Sequence, residues 1–438
     1  MQKLSHKNSL LIGITLFSMF FGAGNLIFPP FLGAQAGTLS WIAFLGFAIS
    51  AIGLPILGVI AIAKSGGLSV LASRVHPLFA SVFTLLIYLS IGPCLAIPRT
   101  ASTSFEMAVV PFLPQNISLG SPQLIYSMLF FFLAFLVALS PDKLTDRLGR
   151  KLTPCLLGLI FIIFIVCLVT PLGHYGNPTA IYEKHAFVQG FLDGYMTMDT
   201  IAALNFGIII AINIRAKGIQ DDQQIVRETV RAGWIAGALF LAVYAALTHI
   251  GALSGGNFGI TSNGAHTLTK IVLQLFGKAG LMILALIFFI ACLNTCIGLI
   301  SCCSQYFTTI LPRISYKKWV CFFAFISMII SNVGLNKILE FSVPILNFLY
   351  PISIVLIILS CFHKYIGQWP DTYPMAILFT GIISVIHTLD HQGITLSWIT
   401  TFARKIPLYQ MSLGFILPAI IGLIVGIILS LIRKTSRI

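Results

Sequence analysis

Charge is scarce in this sequence: only 9% of its 438 residues are Asp, Glu, Lys or Arg, and just 12 are acidic. A soluble domain carries about 25% charged residues to keep its surface in water, so this composition excludes one. Also lacking are a phosphate-binding loop, a His-Glu-x-x-His helix and a Gly-x-Ser-x-Gly elbow. Nucleotide-driven pumping and the common hydrolytic chemistries are left without their residues. The histidines supply no substitute, because His76, His174, His185, His266, His363 and His391 fall at the ends of apolar runs or in loops. His249 is the most embedded, and a single such residue is more often packed and hydrogen-bonded than catalytic. An intramembrane enzyme is therefore disfavoured. No repeated pore loop or ring of like residues suggests a channel. The nine cysteines, among them Cys94, Cys167, Cys292, Cys302 and Cys303, show neither disulfide nor zinc spacing and read as small apolar packing residues.

What is abundant is apolar surface, at 58% hydrophobic residues with a mean hydropathy of +0.98. Such a chain needs lipid, and its length allows about twelve spans of about 20 residues. Apolar runs at 10–30, 38–62, 78–98, 122–140, 153–171, 187–213, 232–252, 281–310, 318–333, 341–362, 374–389 and 411–432 predict an all-α integral membrane protein. Lys3 and Lys7 precede the first run as in a secretory signal. That run, however, continues through Phe28-Pro29-Pro30 without a small-residue cleavage site, and is expected to be retained. An N-terminus on the inner side puts 19 of the 26 Lys and Arg in inner segments, so the positive-inside rule predicts both termini to be cytoplasmic. Arg99 is counted among the seven outer ones. The formal charge of +14 then faces anionic lipid headgroups, which makes nucleic acid an unnecessary partner.

A span in lipid should be continuous helix, since an unpaired backbone group in hydrocarbon costs several kcal/mol. The first run is interrupted by Gly22-Ala23-Gly24-Asn25 and then by Pro29-Pro30. The sixth carries Asp193-Gly194-Tyr195-Met196-Thr197-Met198-Asp199-Thr200. Taken alone, the first interruption fits either a packing kink or a binding site. Asp193 fits either an interfacial carboxylate or a functional one, and Asp199, about two turns deeper, points to function or to strong hydrogen bonding. Broken helices five apart are the pattern of inverted-repeat transporters, which bind substrate and ions between the breaks. Residues 10–171 and 187–365 would be the two five-helix repeats, with 374–432 adding two peripheral helices. In the eighth run Ala291, Asn294 and Thr295 share one helical face at i, i+3, i+4. These oxygens suit a hard cation, or alternatively interhelical hydrogen bonds. The segment Thr261-Ser262-Asn263-Gly264-Ala265-His266, followed by 268–276, reads as a turn and short amphipathic helix, either an external lid or a structured loop.

The run Phe20-Phe21-Gly22-Ala23-Gly24-Asn25-Leu26-Ile27-Phe28-Pro29-Pro30 resembles the signature of the bacterial branched-chain amino acid:cation symporter family. Further blocks are similar to that family at Ile91-Gly92-Pro93 with 96–101, at 148–154, at 194–199, at 341–344 and at 348–351. The resemblance implies a single transporter domain of the leucine-transporter fold in the bacterial cytoplasmic membrane. It implies uptake of leucine, isoleucine and valine with a sodium ion or a proton and no resident cofactor. Transport of other neutral amino acids is the alternative. By the same resemblance the substrate carboxylate meets Ala23 and Gly24 with Asn25 beside it, and the break in the sixth run adds Tyr195, Thr197 and Asp199 as candidates for the ammonium. The cation meets carbonyls of Ser18 and Phe21 facing Ala291, Asn294 and Thr295. Asn294 departs from the Thr-Thr pair usual in the family, leaving the identity of the cation open, with Asp199 or Asp193 as the carboxylate to titrate if it is a proton.

Overall fold

The computed structural model describes residues 5–435 except 115, 140–153, 155–156, 171–172 and 395–396. The block at 148–153, the inner-loop residues Lys143, Arg147, Arg150 and Lys151, and the terminal Lys3 and Arg437 lie outside the described residues.

Among the described residues every regular element is helical. In chain order they begin with α1 (His6–Phe20), α2 (Ala23–Ala36), α3 (Ser40–Ala48), α4 (Leu54–Ser65), α5 (Leu68–Ser73), α6 (Pro77–Leu89), α7 (Ala96–Ala108) and α8 (Gly120–Ala138). After α9 (Leu157–Val169) come α10 (Ala180–Asp193), α11 (Asp199–Ala216), α12 (Asp222–Phe258) and the long α13 (Gly264–Ile310). The chain closes with α14 (Tyr316–Ser331), α15 (Leu335–Cys361), α16 (His363–Ile366), α17 (Thr372–His391), α18 (Ser397–Ala403) and α19 (Ile416–Thr435). Each of the twelve apolar runs falls on one or more of these helices. Among the described residues, eight helical stretches are long and apolar enough to cross a membrane on their own, nine if the pair 180–197 and 199–215, bent by 48°, is one span.

The departures from straight helix organise the centre. Between α1 and α2 the chain is extended at Phe21 (φ −70°, ψ 101°) and Gly22 (φ −141°, ψ −158°). The helix restarts at Ala23 and runs through both prolines to Ala36, so the interruption sits at Phe21 and Gly22 rather than at Pro29-Pro30. Each proline removes one N–H from the ladder but is held by buried packing on every side of α2. Gly22 is required by proximity: a Cβ there would stand 2.5 Å from Thr295 Oγ1 on α13. The second interruption follows α10, where Gly194–Thr197 tightens into a 3-10 turn and Met198 takes a left-handed conformation (φ 66°) before α11 begins. A non-glycine residue in that region is strained and persists only when its surroundings hold it. Here they do, because Ser50 Oγ donates to Phe191 O at 2.6 Å and Thr200 Oγ1 donates to Ser50 O at 3.2 Å. Both sides of the break are thereby tied to one π-helical turn, Ile49–Gly53, between α3 and α4.

A third interruption is one that apolar spacing does not announce. Gly92 and Pro93 lie in a π-helical turn between α6 and α7, with Gly92 outside helical geometry (φ −87°, ψ −126°). This span does not end at residue 98 but continues as α7, whose residues 96–105 are all buried despite hydroxyl side chains and Arg99. The short helix expected near 268–276 is present as the first part of α13, set off from the rest by Gly277 (φ 60°). Asn263 caps it by accepting from the His266 N–H at 3.1 Å.

Candidate functional site

The two breaks face each other, and the substrate residues read from the sequence converge between them. Ala23 and Gly24 form the first turn of α2, whose N–H groups have no partners inside the helix and whose dipole favours negative charge. Asn25 Oδ1 accepts from the Gly22 N–H at 2.9 Å, closing the turn. Its Nδ2 donates to Asp199 Oδ2 at 2.6 Å and to the Tyr244 hydroxyl at 2.5 Å. Tyr244, on α12, donates in turn to Asp199 Oδ2 at 3.2 Å. Asp199 is the first residue of α11, where helix polarity favours a carboxylate. Asn25, Asp199 and Tyr244 are all nearly or fully buried, so one polar triad locks the two breaks to α12. Thr197 Oγ1 donates to Gly194 O at 2.9 Å and accepts from the Asp199 N–H at 3.4 Å, a local turn that holds the second break open.

These groups, Tyr244 excepted, line a small cavity of about 40 Å³. That is well below the range of about 300–1,000 Å³ usual for small-ligand sites, so the two breaks are nearly closed on each other in this structure. Ala23, Gly24, Asn25, Thr197 and Asp199 form its polar side; Met19, Phe20, Ile91, Phe206 and Leu299 are among its apolar residues. Tyr195 is not part of the lining; it stacks on Tyr350 with ring centroids 4.1 Å apart. Asp193 also stands apart, accepting from the Tyr182 hydroxyl and from Gln189 Nε2 at 2.9 Å.

The residues expected to hold the cation lie beside this cavity. Thr295 lines it and donates through Oγ1 to Phe21 O at 3.4 Å, so the carbonyl freed by the first break and the hydroxyl of α13 do meet. Ser18 and Ala291 are buried on the same two helices, and the buried Asn294 Oδ1 has no hydrogen-bond partner among the described residues. A buried amide oxygen without a donor is unusual and suits a ligand that brings positive charge.

Two residues of the site escape sequence reasoning. Tyr244 is one hydroxyl in an apolar run, and nothing in its spacing distinguishes it. Arg99 reads as an outer-loop charge, whereas it is 4% exposed on α7 and donates to Met196 O at 2.6 Å and Thr197 O at 3.3 Å. The signal available for it is Gly92-Pro93 inside a run that then turns polar without a turn sequence.

Comparison with known proteins agrees with this architecture. Residues 5–433 match the family described as branched-chain amino acid transport protein. The branched-chain amino acid permease BrnQ of Bacillus subtilis is 41% identical over 439 residues, covering 99% of this chain and 100% of that one. Mhp1, a nucleobase-cation-symport-1 family transporter in a closed conformation with bromovinylhydantoin bound, superposes with a TM-score of 0.61 at 13% identity, over 97% of this chain and 93% of its own. MhsT in complex with L-phenylalanine gives 0.57 at 15% identity, over 98% and 99%. At those identities the likeness establishes the fold alone, and it is the leucine-transporter fold that the family resemblance implied. The chain belongs to the branched-chain amino acid transport protein family, and is a multi-pass membrane transporter rather than an enzyme.

Proposed function

We propose that this protein imports leucine, isoleucine and valine by symport with a cation, binding the amino acid in the cavity between the two broken helices. The observation that carries the reading is the cavity's polarity: the N-terminal turn of α2 lies on it together with the Asp199 carboxylate, beside apolar side chains. An amino acid zwitterion matches this. Its carboxylate meets the N–H groups of Ala23 and Gly24. Its ammonium meets Asp199 and the carbonyls freed at the breaks. The branched side chain lies against Phe20, Ile91, Phe206 and Leu299. An apolar wall separates substrates differing by one methylene by only about 1–3 kcal/mol, so overlapping use of the three amino acids follows. The names of the curated relatives support the same substrate class.

Sodium is the coupling ion we favour, held by oxygens of Ser18, Phe21, Ala291, Asn294 and Thr295, and the unpartnered Asn294 Oδ1 supports it. A proton on Asp199 is the second reading, favoured by the burial of that carboxylate within the triad with Asn25 and Tyr244. In this proposal both termini are cytoplasmic in a bacterial inner membrane, 10–171 and 187–365 are the repeats, and 374–432 is peripheral. The segment 261–276 serves as an external lid. Its contacts support that role: His266 Nε2 lies 3.0 Å from Glu106 Oε2 beyond α7's site residues, and Asn263 Nδ2 donates to Asn336 Oδ1 at 3.0 Å.

Radiolabelled leucine uptake into proteoliposomes tests the function directly. An inward sodium gradient is expected to drive accumulation that a proton gradient alone does not; accumulation indifferent to both would sink symport. For the cation site, Asn294→Leu is expected to raise the sodium concentration needed for half-maximal uptake by about tenfold or more, the loss of one ligand to a charged partner. Unchanged sodium dependence would remove α13 from that site.

A further inference from the structure

Arg99 is a buried cation that the symport reading leaves unused. It enters the site from α7, on a span whose apolar run ends just before it. Two of its nitrogens donate to Met196 O and Thr197 O, the carbonyls at the end of the 3-10 turn that closes the first half of the broken sixth span. One face of the guanidinium lies 5.5 Å from the centroid of the Phe28 ring. A guanidinium has five N–H donors in a fixed fork, and here the buried Nε has no acceptor among the described residues. Leaving a charged donor buried and unsatisfied is costly, and a native site that tolerates it does so for a ligand or a water.

Arg99 lines the same cavity as Gly24, Asn25 and Asp199. It is also close to the helix start expected to take the substrate carboxylate, since a Cβ built on Gly24 would lie 2.9 Å from Arg99 Nη2. The two opposite charges of the cavity have different hydrogen-bond partners: Asp199 bonds to Asn25 and Tyr244, Arg99 to the carbonyls of Met196 and Thr197. They form no ion pair within 4.0 Å of each other, so each charge can meet one end of a zwitterion. We propose that Arg99 is a substrate-binding residue, joining the first turn of α2 in holding the amino acid's carboxylate, and that it thereby sets the requirement for a free carboxylate on the cargo.

This rests on the substrate site proposed above, and the test separates the two. The full chain, purified in detergent, is titrated with leucine and with leucinol, which keeps the ammonium and the branched chain but has no carboxylate. Apparent affinities are read from the ligand-induced rise in unfolding temperature. In the wild type leucine binds far more tightly than leucinol. Arg99→Gln is expected to weaken leucine by about 10- to 100-fold, the usual loss of one charge-assisted bond, and to leave leucinol within about threefold. The preference for the carboxylate then collapses. If Arg99 only braces the sixth-span break, both ligands weaken by the same factor and the ratio is preserved, which overturns the proposal. Arg99→Lys provides the same ratio in a variant that keeps the charge, should the glutamine variant not fold; it is expected to weaken leucine less and leave leucinol unchanged. A wild type that binds neither compound would instead overturn the branched-chain reading itself, and with it the role of Arg99.

Discussion

Replacing Gly24 by leucine is expected to lower leucine uptake by at least about 100-fold, on the order of what displacing a binding group costs. The amount of folded protein in the membrane, read by size-exclusion of the solubilised variant, is expected to stay near the wild-type level. The reason is local. A Cβ on Gly24 would lie 2.9 Å from Arg99 Nη2 and 3.3 Å from both Thr197 Cα and Thr197 O, and since Gly24, Arg99 and Thr197 all line the cavity, a leucine side chain there crowds it. It then occupies the volume the substrate needs. Gly24→Ala is expected to show a smaller loss, because the flexible end of Arg99 can withdraw and the 3.3 Å contacts with Thr197 ask for a shift of only a few tenths of an ångström. Normal transport by the leucine variant would reduce the first break to a packing kink.

Asp199→Asn is expected to have the other large effect. The amide has nearly the same shape and can still bond to Asn25 and Tyr244, so the triad loses little geometry. What disappears is the negative charge, and with it the partner of the substrate ammonium in a buried, weakly screened site. Removing one member of a buried ion pair costs about 3–5 kcal/mol, so leucine affinity should fall by about two to four orders of magnitude. Equilibrium exchange of labelled for unlabelled leucine distinguishes the coupling ions. If Asp199 carries a coupling proton, Asp199→Asn abolishes pH-driven accumulation while exchange at saturating leucine survives. If it only binds the ammonium, exchange and accumulation fall together. Wild-type affinity in this variant would take Asp199 out of the site.

Several of these expectations rest on patterns legible in the amino-acid sequence. Lipid forbids unpaired backbone, so Gly22-Ala23-Gly24-Asn25 in one apolar run and Asp193 to Thr200 in another mark the two interruptions, and their separation by five spans marks the architecture. The oxygen face of Ala291, Asn294 and Thr295 follows from helical spacing, and folding brings the hydroxyl of Thr295 to the carbonyl of Phe21. Less legible is where an interruption begins. Pro29 and Pro30 read as the end of the ladder, yet α2 passes through them because dense burial holds the helix where two N–H groups are missing.

The sequence by itself determined the solvent, the helical class and the two broken spans, because hydrophobic length and backbone satisfaction in lipid are local properties that composition and spacing express. Tertiary structure alone decided which polar residues share a site. Asp199 lies 174 residues from Asn25 and 45 from Tyr244 along the chain, and Arg99 reaches carbonyls 97 and 98 residues away. No periodicity encodes such meetings. They arise when helices from distant parts of the chain pack at two unwound turns, where freed carbonyls and N–H groups must find partners and a buried arginine can be one of them.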